Sequence, residues 1–428
     1  MMPRKRFLTL PIAAMLAALA GCADSPVAPA RAAVDDVSLQ ASEGRGVFQR
    51  YVAVGTSTSM GWASDGVFFE SQESSWPAQL ARMGNREITQ PYIQSPGCPA
   101  PIAPPLGGGV RFITGEPILA PPATLACAPL VPGITLPTQN VAINGARIAD
   151  ALFSTPETAP DVASRRLYSR VLPPGETQVT AMAAQNPKLV SVELGSNEVF
   201  AARSGIALVG APPLPILDPP TFATQYRQVL DSIEATKVKH VLLVGLPTNP
   251  LSLPAFRTGA EIAANAPVLL VGFNVAVQAD CATTSAQNLI FVLLKLAPVM
   301  QAGLAAKALG QPPLPFTCAG GGPTVVDFVL TPAEQSIVTM VTAQFNAIIQ
   351  AEAQARGFAY TSLDALYANP AARPPFNAAT LLTTATPFGP LMSLDGLHPN
   401  AAGQALIAQA AAEALNSRYD LGIPTSAP

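Results

Sequence analysis

Along this chain, short runs of consecutive apolar residues alternate with longer stretches in which apolar positions recur every three or four residues. The first pattern belongs to strands buried on both faces, the second to helices with one buried face. Residues 51–54 (Tyr-Val-Ala-Val), 188–194 (Lys-Leu-Val-Ser-Val-Glu-Leu), 241–246 and 358–362 are predicted strands. Residues 76–83 form a predicted helix after the first strand, and 222–236 another, with Tyr226, Val229, Leu230 and Ile233 on one face. Thr331-Pro332-Ala333-Glu334 offers a capping hydroxyl, a proline at the first helical position and a glutamate three residues on. It starts a helix that runs to about Arg356 and stops at Gly357. Asn400 caps a last helix whose Leu406, Ile407, Ala410 and Leu415 share a face. This alternation predicts an α/β fold, a parallel sheet covered by helices on both sides. Three Pro-rich insertions interrupt it near 91–139, 200–220 and 250–325. Long ordered loops on a rigid frame usually shape the ligand site. The apolar stretch 289–300 is broken by Lys295 and too short to span a bilayer, so it is predicted to be a core or lid helix.

Composition narrows the class. The hydrophobic fraction of 49% is too high for a disordered chain, so 45 prolines imply long ordered loops. A net charge of −3, with no basic run beyond the N-terminus, argues against a nucleic-acid partner. The N-terminus opens Met-Met-Pro-Arg-Lys-Arg, continues uncharged and largely apolar over 7–18, and reaches Leu19-Ala20-Gly21-Cys22. A basic region, a short apolar region and small residues in that order read as an export signal over 1–21. Leu-Ala-Gly-Cys also resembles a bacterial lipobox. That resemblance implies a lipid on Cys22 that anchors the protein to a membrane, in the periplasm or at the cell surface. Ala23 in place of an aspartate implies the outer membrane. Residues 22–46 read as a flexible tether to a single domain over 47–428. In an exported chain, Cys98, Cys127, Cys281 and Cys318 suggest disulfides. The local pairing, Cys98–Cys127 with Cys281–Cys318, staples two of the insertions, each bridge worth roughly 3–4 kcal/mol in the chain-entropy model. The spacings contain no C-x2-C pair and no nearby histidine, so a zinc site is disfavoured.

Chemistry enters through the histidines, of which there are two, His240 and His398. His240 borders a buried strand and reads as structural. His398 lies in Ser-Leu-Asp-Gly-Leu-His-Pro-Asn, three residues after Asp395. Directly after the first strand comes Gly55-Thr56-Ser57-Thr58-Ser59. A serine hydroxyl needs a base to take its proton, and the base needs a group to fix its tautomer. Ser57, His398 and Asp395 supply those three parts; Ser59 is the neighbouring rival nucleophile. Two further residues fall at strand ends, where ligands of open α/β sheets bind. Gly145 ends the short apolar run Asn140-Val-Ala-Ile-Asn-Gly145, and Asn197 lies in Gly-Ser-Asn-Glu after the 188–194 strand. The backbone N–H groups of Ser57 and Gly145 and the Asn197 amide form a candidate oxyanion hole. Glu193 and Glu198 suggest a glycosidase-type carboxylate pair, but alternation along the strand predicts that Glu193 points away from the site. Phe68, Phe69 and Trp76 read as core residues.

The ordered set Gly-Thr-Ser-Thr-Ser, Asn-Gly-Ala, Gly-Ser-Asn-Glu and Asp-Gly-Leu-His-Pro resembles the SGNH, or GDSL, hydrolase family over about residues 47–416. The resemblance implies a flavodoxin-like three-layer α/β/α sandwich and a serine ester hydrolase working through an acyl-enzyme. It implies Ser57, Asp395 and His398 as the triad, Ser57, Gly145 and Asn197 as the oxyanion hole, and no metal or organic cofactor. The substrate is then a small-molecule or lipid ester. Two departures stand out: Thr56 replaces the aspartate of Gly-Asp-Ser, and Glu198 replaces the final aspartate of Gly-x-Asn-Asp. They leave open a degenerate binding lipoprotein of the same fold, beside an acyltransferase or a carbohydrate acetylesterase. An α/β-hydrolase fits less well, because no Gly-x-Ser-x-Gly elbow joins a strand to a helix.

Overall fold

The computed structural model describes residues 46–210 and 216–425; the predicted export signal, Cys22 and all of the predicted tether except Gly46 lie outside them. Strands β1 (Tyr51–Gly55), β2 (Leu189–Glu193), β3 (His240–Gly245) and β4 (Ala359–Ser362) pair in that order, every pair parallel. A fifth segment runs beside the outer edge of β1. There Ala53 N–H donates to the Gln139 carbonyl, and Val141 and Ile143 N–H donate to the carbonyls of Ala53 and Gly55. The second segment in chain order thus lies outside the first, which is the 2-1-3-4-5 order of flavodoxin-like sheets.

Every residue of β1 and β2 is buried, as a parallel sheet covered on both faces requires. Helices α1 (Trp76–Met83) and α4 (Ala401–Tyr419) pack together, α4 lying against β3 and β4. Helices α2 (Pro219–Ala235) and α3 (Pro332–Arg356) form the other layer, α3 lying against β3. Phe222 of α2 stacks on Phe345 of α3 with ring centroids 3.8 Å apart. The result is a three-layer α/β/α sandwich.

Local signals placed most boundaries. The Thr331 side chain accepts the Glu334 N–H at the start of α3, and Gly357 ends the helix at φ 68. Asn400 accepts from the N–H groups of Ala402 and Gly403 to start α4. Helix α2 begins three residues earlier than its apolar periodicity suggests, at Pro219 behind an Asp218 cap. Prolines that look like loop are tolerated in a first helical turn, where their missing N–H has no partner to lose.

The first and third insertions each carry a disulfide. Cys98 is bonded to Cys127, and Cys281 to Cys318. The third insertion builds an antiparallel sheet in which Leu289–Phe291 pairs with Phe256–Thr258 on one side and Val329–Leu330 on the other. The apolar stretch 289–300 therefore divides: its first three residues are a strand, and Val292–Ala308 is a helix. Its lone charge, Lys295, donates to the Asp327 carbonyl. Among the described residues, no helix is long and apolar enough to cross a membrane.

Candidate active site

Strand β1 ends in a tight turn that becomes the four-residue helix Ser57–Met60. Gly55 makes the turn possible, because a Cβ there would lie 2.5 Å from the Ser59 hydroxyl. Three buried side chains fix the turn. Asn140 Nδ2 donates to the Ser59 carbonyl at 2.9 Å, and Gln404 Nε2 donates to the Thr58 carbonyl at 3.1 Å. The third is Glu193, whose carboxylate lies beneath the turn. It accepts from Thr56 N–H at 3.1 Å, Thr56 Oγ1 at 2.9 Å, Ser59 N–H at 3.3 Å and Ser59 Oγ at 3.0 Å. Glu193 does not line the cleft, in keeping with the expectation that it points away from the site, yet it holds the turn from beneath. Alternation fixes the face of a strand, but at its last residue the next turn folds over that face. Ser59, the rival nucleophile, is fully buried; it accepts the Trp76 indole N–H and donates to Glu193. Burial pushes the Glu193 pKa up, while the donors from Thr56 and Ser59 pull it down.

The loop before α4 supplies the other half. His398 Nε2 lies 2.9 Å from Ser57 Oγ, and His398 Nδ1 lies 2.9 Å from Asp395 Oδ2. Asp395 Oδ1 accepts from Ser393 Oγ and from the N–H groups of Leu397 and His398, and Oδ2 also accepts the Asp65 N–H. Burial alone would raise the Asp395 pKa. The adjoining His398 ring and these hydrogen bonds outweigh it and hold the pKa down at about 2. Near neutral pH Asp395 can therefore only accept. That puts the imidazole proton on Nδ1 and turns the Nε2 lone pair towards the Ser57 hydroxyl. The arrangement can pass a proton from Ser57 to His398 while Asp395 steadies the resulting charge.

Ser57, Gly145, Asn197, Asp395 and His398 all line one cleft of about 520 Å³. Gly145 has φ +78, and a Cβ added there would meet only open space. The glycine is needed for its backbone angle, which a side chain would strain. Asn197 Nδ2 donates one hydrogen to the Ala146 carbonyl at 2.9 Å, and its second hydrogen remains. The Ser57 N–H opens a helix, so it is one of the donors that a helical turn leaves without an internal acceptor. His240 sits elsewhere, with Nδ1 3.2 Å from the Lys188 carbonyl and its ring edge-on to Tyr419.

Glu198 is buried behind the cleft. One carboxylate oxygen accepts the Ile148 N–H at 2.6 Å, tying the Asn197 turn to the segment after Gly145. The other is buried with no hydrogen-bond partner. Burial raises its pKa from 4.5 to about 7, against the pull of the Ile148 bond. A carboxyl group raised on folding contributes stability that is fully present below its unfolded pKa and lost as pH rises through the folded value. The wild-type protein should therefore lose ~3 kcal/mol between about pH 4.5 and about pH 7 through this group. Glu198→Gln keeps an acceptor for Ile148 and cannot ionise. Urea denaturation at about pH 5 and about pH 8 should show that decline narrowed in the variant by ~2–3 kcal/mol. Equal declines in both proteins would rule out ionisation of Glu198 as its source.

Sequence reasoning missed three contributors, Asp65, whose N–H binds Asp395, and Ser64 and Ser393, linked at 2.8 Å, and it gave Glu193 no part in holding the turn. Ser393 lies two residues before Asp395 and is the one that spacing could have flagged. Asp65 and Ser64 adopt positive φ of 54 and 52, which no apolar pattern signals.

The sequence model of the GDSL-like lipase/acylhydrolase family matches residues 51–411. A search of curated proteins finds no match. Among solved structures, an extracellular lipase from Streptomyces rimosus is similar at 16% identity, covering 86% of this chain and 98% of that one, with a TM-score of 0.34.

Proposed function

This chain belongs to the GDSL-like lipase/acylhydrolase family, and from that premise we propose that it is an exported serine hydrolase of carboxylic esters. Membership supports esterase- or lipase-type hydrolysis; the residue roles are our reading of the geometry. The observation that carries it is the unbroken hydrogen-bonded line from Asp395 through His398 to Ser57, opening into an apolar cleft. Ser57 Oγ attacks the ester carbonyl carbon as its proton passes to His398 Nε2. The carbonyl oxygen, now negative, is held by the N–H groups of Ser57 and Gly145 and the free Asn197 amide hydrogen. Collapse breaks the bond to the alcohol, which leaves with the proton from His398. Water then loses a proton to His398 and attacks the acyl carbonyl; the bond to Ser57 Oγ breaks, Ser57 takes the proton back from His398, and the acid is released. None of these steps calls for a metal or organic cofactor.

The Thr56 departure has a local rationale: a hydroxyl here donates to Glu193, whereas an aspartate would set two carboxylates against each other. A fluorophosphonate probe tests the catalytic reading directly. It should label the wild-type protein and not Ser57→Ala; an unlabelled wild type would favour the non-catalytic binding lipoprotein. Product analysis with an added alcohol or sugar distinguishes hydrolysis from acyl transfer. Val199, Phe200, Leu246, Leu253, Phe291 and Leu294 make much of the cleft apolar. Each methylene buried there is worth ~0.8 kcal/mol. Across an acyl-chain series, kcat/KM should rise about fourfold per methylene until the cleft is full. A flat series, with acetylated polysaccharide preferred, would instead favour a carbohydrate acetylesterase.

Two disulfides fit an oxidising compartment outside the cytoplasm. We read 1–21 as the export signal and 22–46 as the tether of a domain over 47–428. A lipid on Cys22 then anchors the protein, at the outer membrane. Cys22→Ser should move the protein from the membrane fraction to the soluble fraction; retention on the membrane would overturn the lipid anchor.

A further inference from the structure

Asn197 is followed, six residues on, by Arg203 in the short turn Ala201–Ser204, and both line the cleft that holds Ser57 and His398. Among the described lining residues, Arg203 is the only lysine or arginine. The other charges there already have partners: Asp65 is paired with Arg111, and Asp395 with His398. Among the described residues, Arg203 has no such partner. Its Nη1 donates to the Phe200 carbonyl at a long 3.4 Å, and its guanidinium lies over the Phe200 ring, 4.7 Å from the centroid. The residue is solvent-exposed, yet desolvation by the surrounding protein lowers its pKa, partly offset by Asp65. Exposure together with surrounding protein describes a group inside a concavity, not one waving in bulk solvent. A guanidinium carries five N–H donors in a rigid fork and stays charged. Stacking on Phe200 fixes the plane of that fork and leaves its edges free for a ligand.

We infer that Arg203 recognises an anionic oxygen group, phosphate or carboxylate, carried by the ester at a position away from the scissile carbonyl. The inference rests on the reading of this cleft as an ester site and adds the chemical class of its substrate. A planar fork binds either anion through two parallel charge-assisted hydrogen bonds. The apolar wall takes the acyl chain, and the guanidinium selects esters that carry negative charge over neutral ones. Attack moves a proton from Ser57 to His398 and puts the matching negative charge on the carbonyl oxygen, so the net charge of the cleft is unchanged and an anion held at Arg203, away from the scissile carbonyl, is compatible with the reaction.

The test measures binding in Ser57→Ala protein, so that turnover is not needed. Octanoyl lysophosphatidic acid, mono-octanoylglycerol hemisuccinate and neutral mono-octanoylglycerol are titrated below their micelle concentrations. At least one anionic ligand should bind about tenfold or more tightly than the neutral one, a difference of ~1.4 kcal/mol. The phosphate and succinate arms show which anion is preferred. Adding Arg203→Met should bring the ratio close to one, while Arg203→Lys should keep part of it, having the charge without the fork. Equal binding of charged and neutral ligands, or a preference that survives Arg203→Met, overturns the inference. Turnover of the neutral ester by the wild-type protein tests the hydrolase reading separately. Arg203-dependent binding without any turnover would sustain the subsite and overturn the hydrolase.

Discussion

Replacing Ser57 with alanine is expected to lower kcat/KM for a short activated ester by roughly 10⁴–10⁶-fold. The hydroxyl is the group aligned on His398 Nε2 at 2.9 Å, and the next serine, Ser59, is buried and engaged with Glu193 and Trp76. Among the described residues, no other hydroxyl is hydrogen-bonded to His398 Nε2. His398→Ala should cost a similar factor, and the double variant little more, because the two act as a unit. Asp395→Asn is expected to lose about 10⁴-fold with geometry intact, since an amide that donates favours the wrong imidazole tautomer. Asn197→Ala should be milder, about 10²–10³-fold in kcat, as the loss of one of three oxyanion donors. The check is steady-state kinetics with each variant's fold verified by circular dichroism. Turnover of Ser57→Ala within tenfold of wild type would end the nucleophile assignment.

The second large effect concerns stability. Glu193→Ala removes the shared acceptor beneath the β1 turn and leaves two backbone N–H groups and two hydroxyls of Thr56 and Ser59 competing for none. Buried donors left unsatisfied cost ~1–3 kcal/mol each, so the variant should lose about 4 kcal/mol or more. Glu193→Gln should also be costly, because its NH₂ would face donors where the carboxylate offers an acceptor. Catalysis should fall with stability, since Ser57 lies between the two residues that Glu193 holds. Thr56→Asp is expected to destabilise the wild-type background and to be better tolerated with Glu193→Ser, which removes the second carboxylate. Urea denaturation provides the measurement. A Glu193→Ala protein within ~0.5 kcal/mol of wild type would show that the network is not structural.

What each level of description contributed is visible in single elements. Helix α3 was legible to the residue at both ends, because Thr331, Pro332, Glu334 and Gly357 act through bonds no more than one helical turn away. The buried strands were legible because a parallel sheet covered on both faces demands continuous apolar runs. The start of α2 was not, since prolines in a first turn look like prolines in a loop. The split of 289–300 was not either, because whether an apolar run pairs as a strand depends on Phe256–Thr258 and Val329–Leu330, remote in sequence.

The sequence by itself determined the residue types and order of the candidate site, the apolar runs of the sheet and the helix caps, all of which depend on covalent neighbours. Only the tertiary structure decided that Ser57 and His398 meet across 341 positions, that Glu193 turns under the β1 turn, and that Arg203 enters the cleft with no carboxylate partner among the described residues. The physical reason is that hydrogen bonds and ion pairs act over a few ångströms of space. Which groups come within that range is set by how the sheet and its insertions pack, and no local pattern along the chain encodes it.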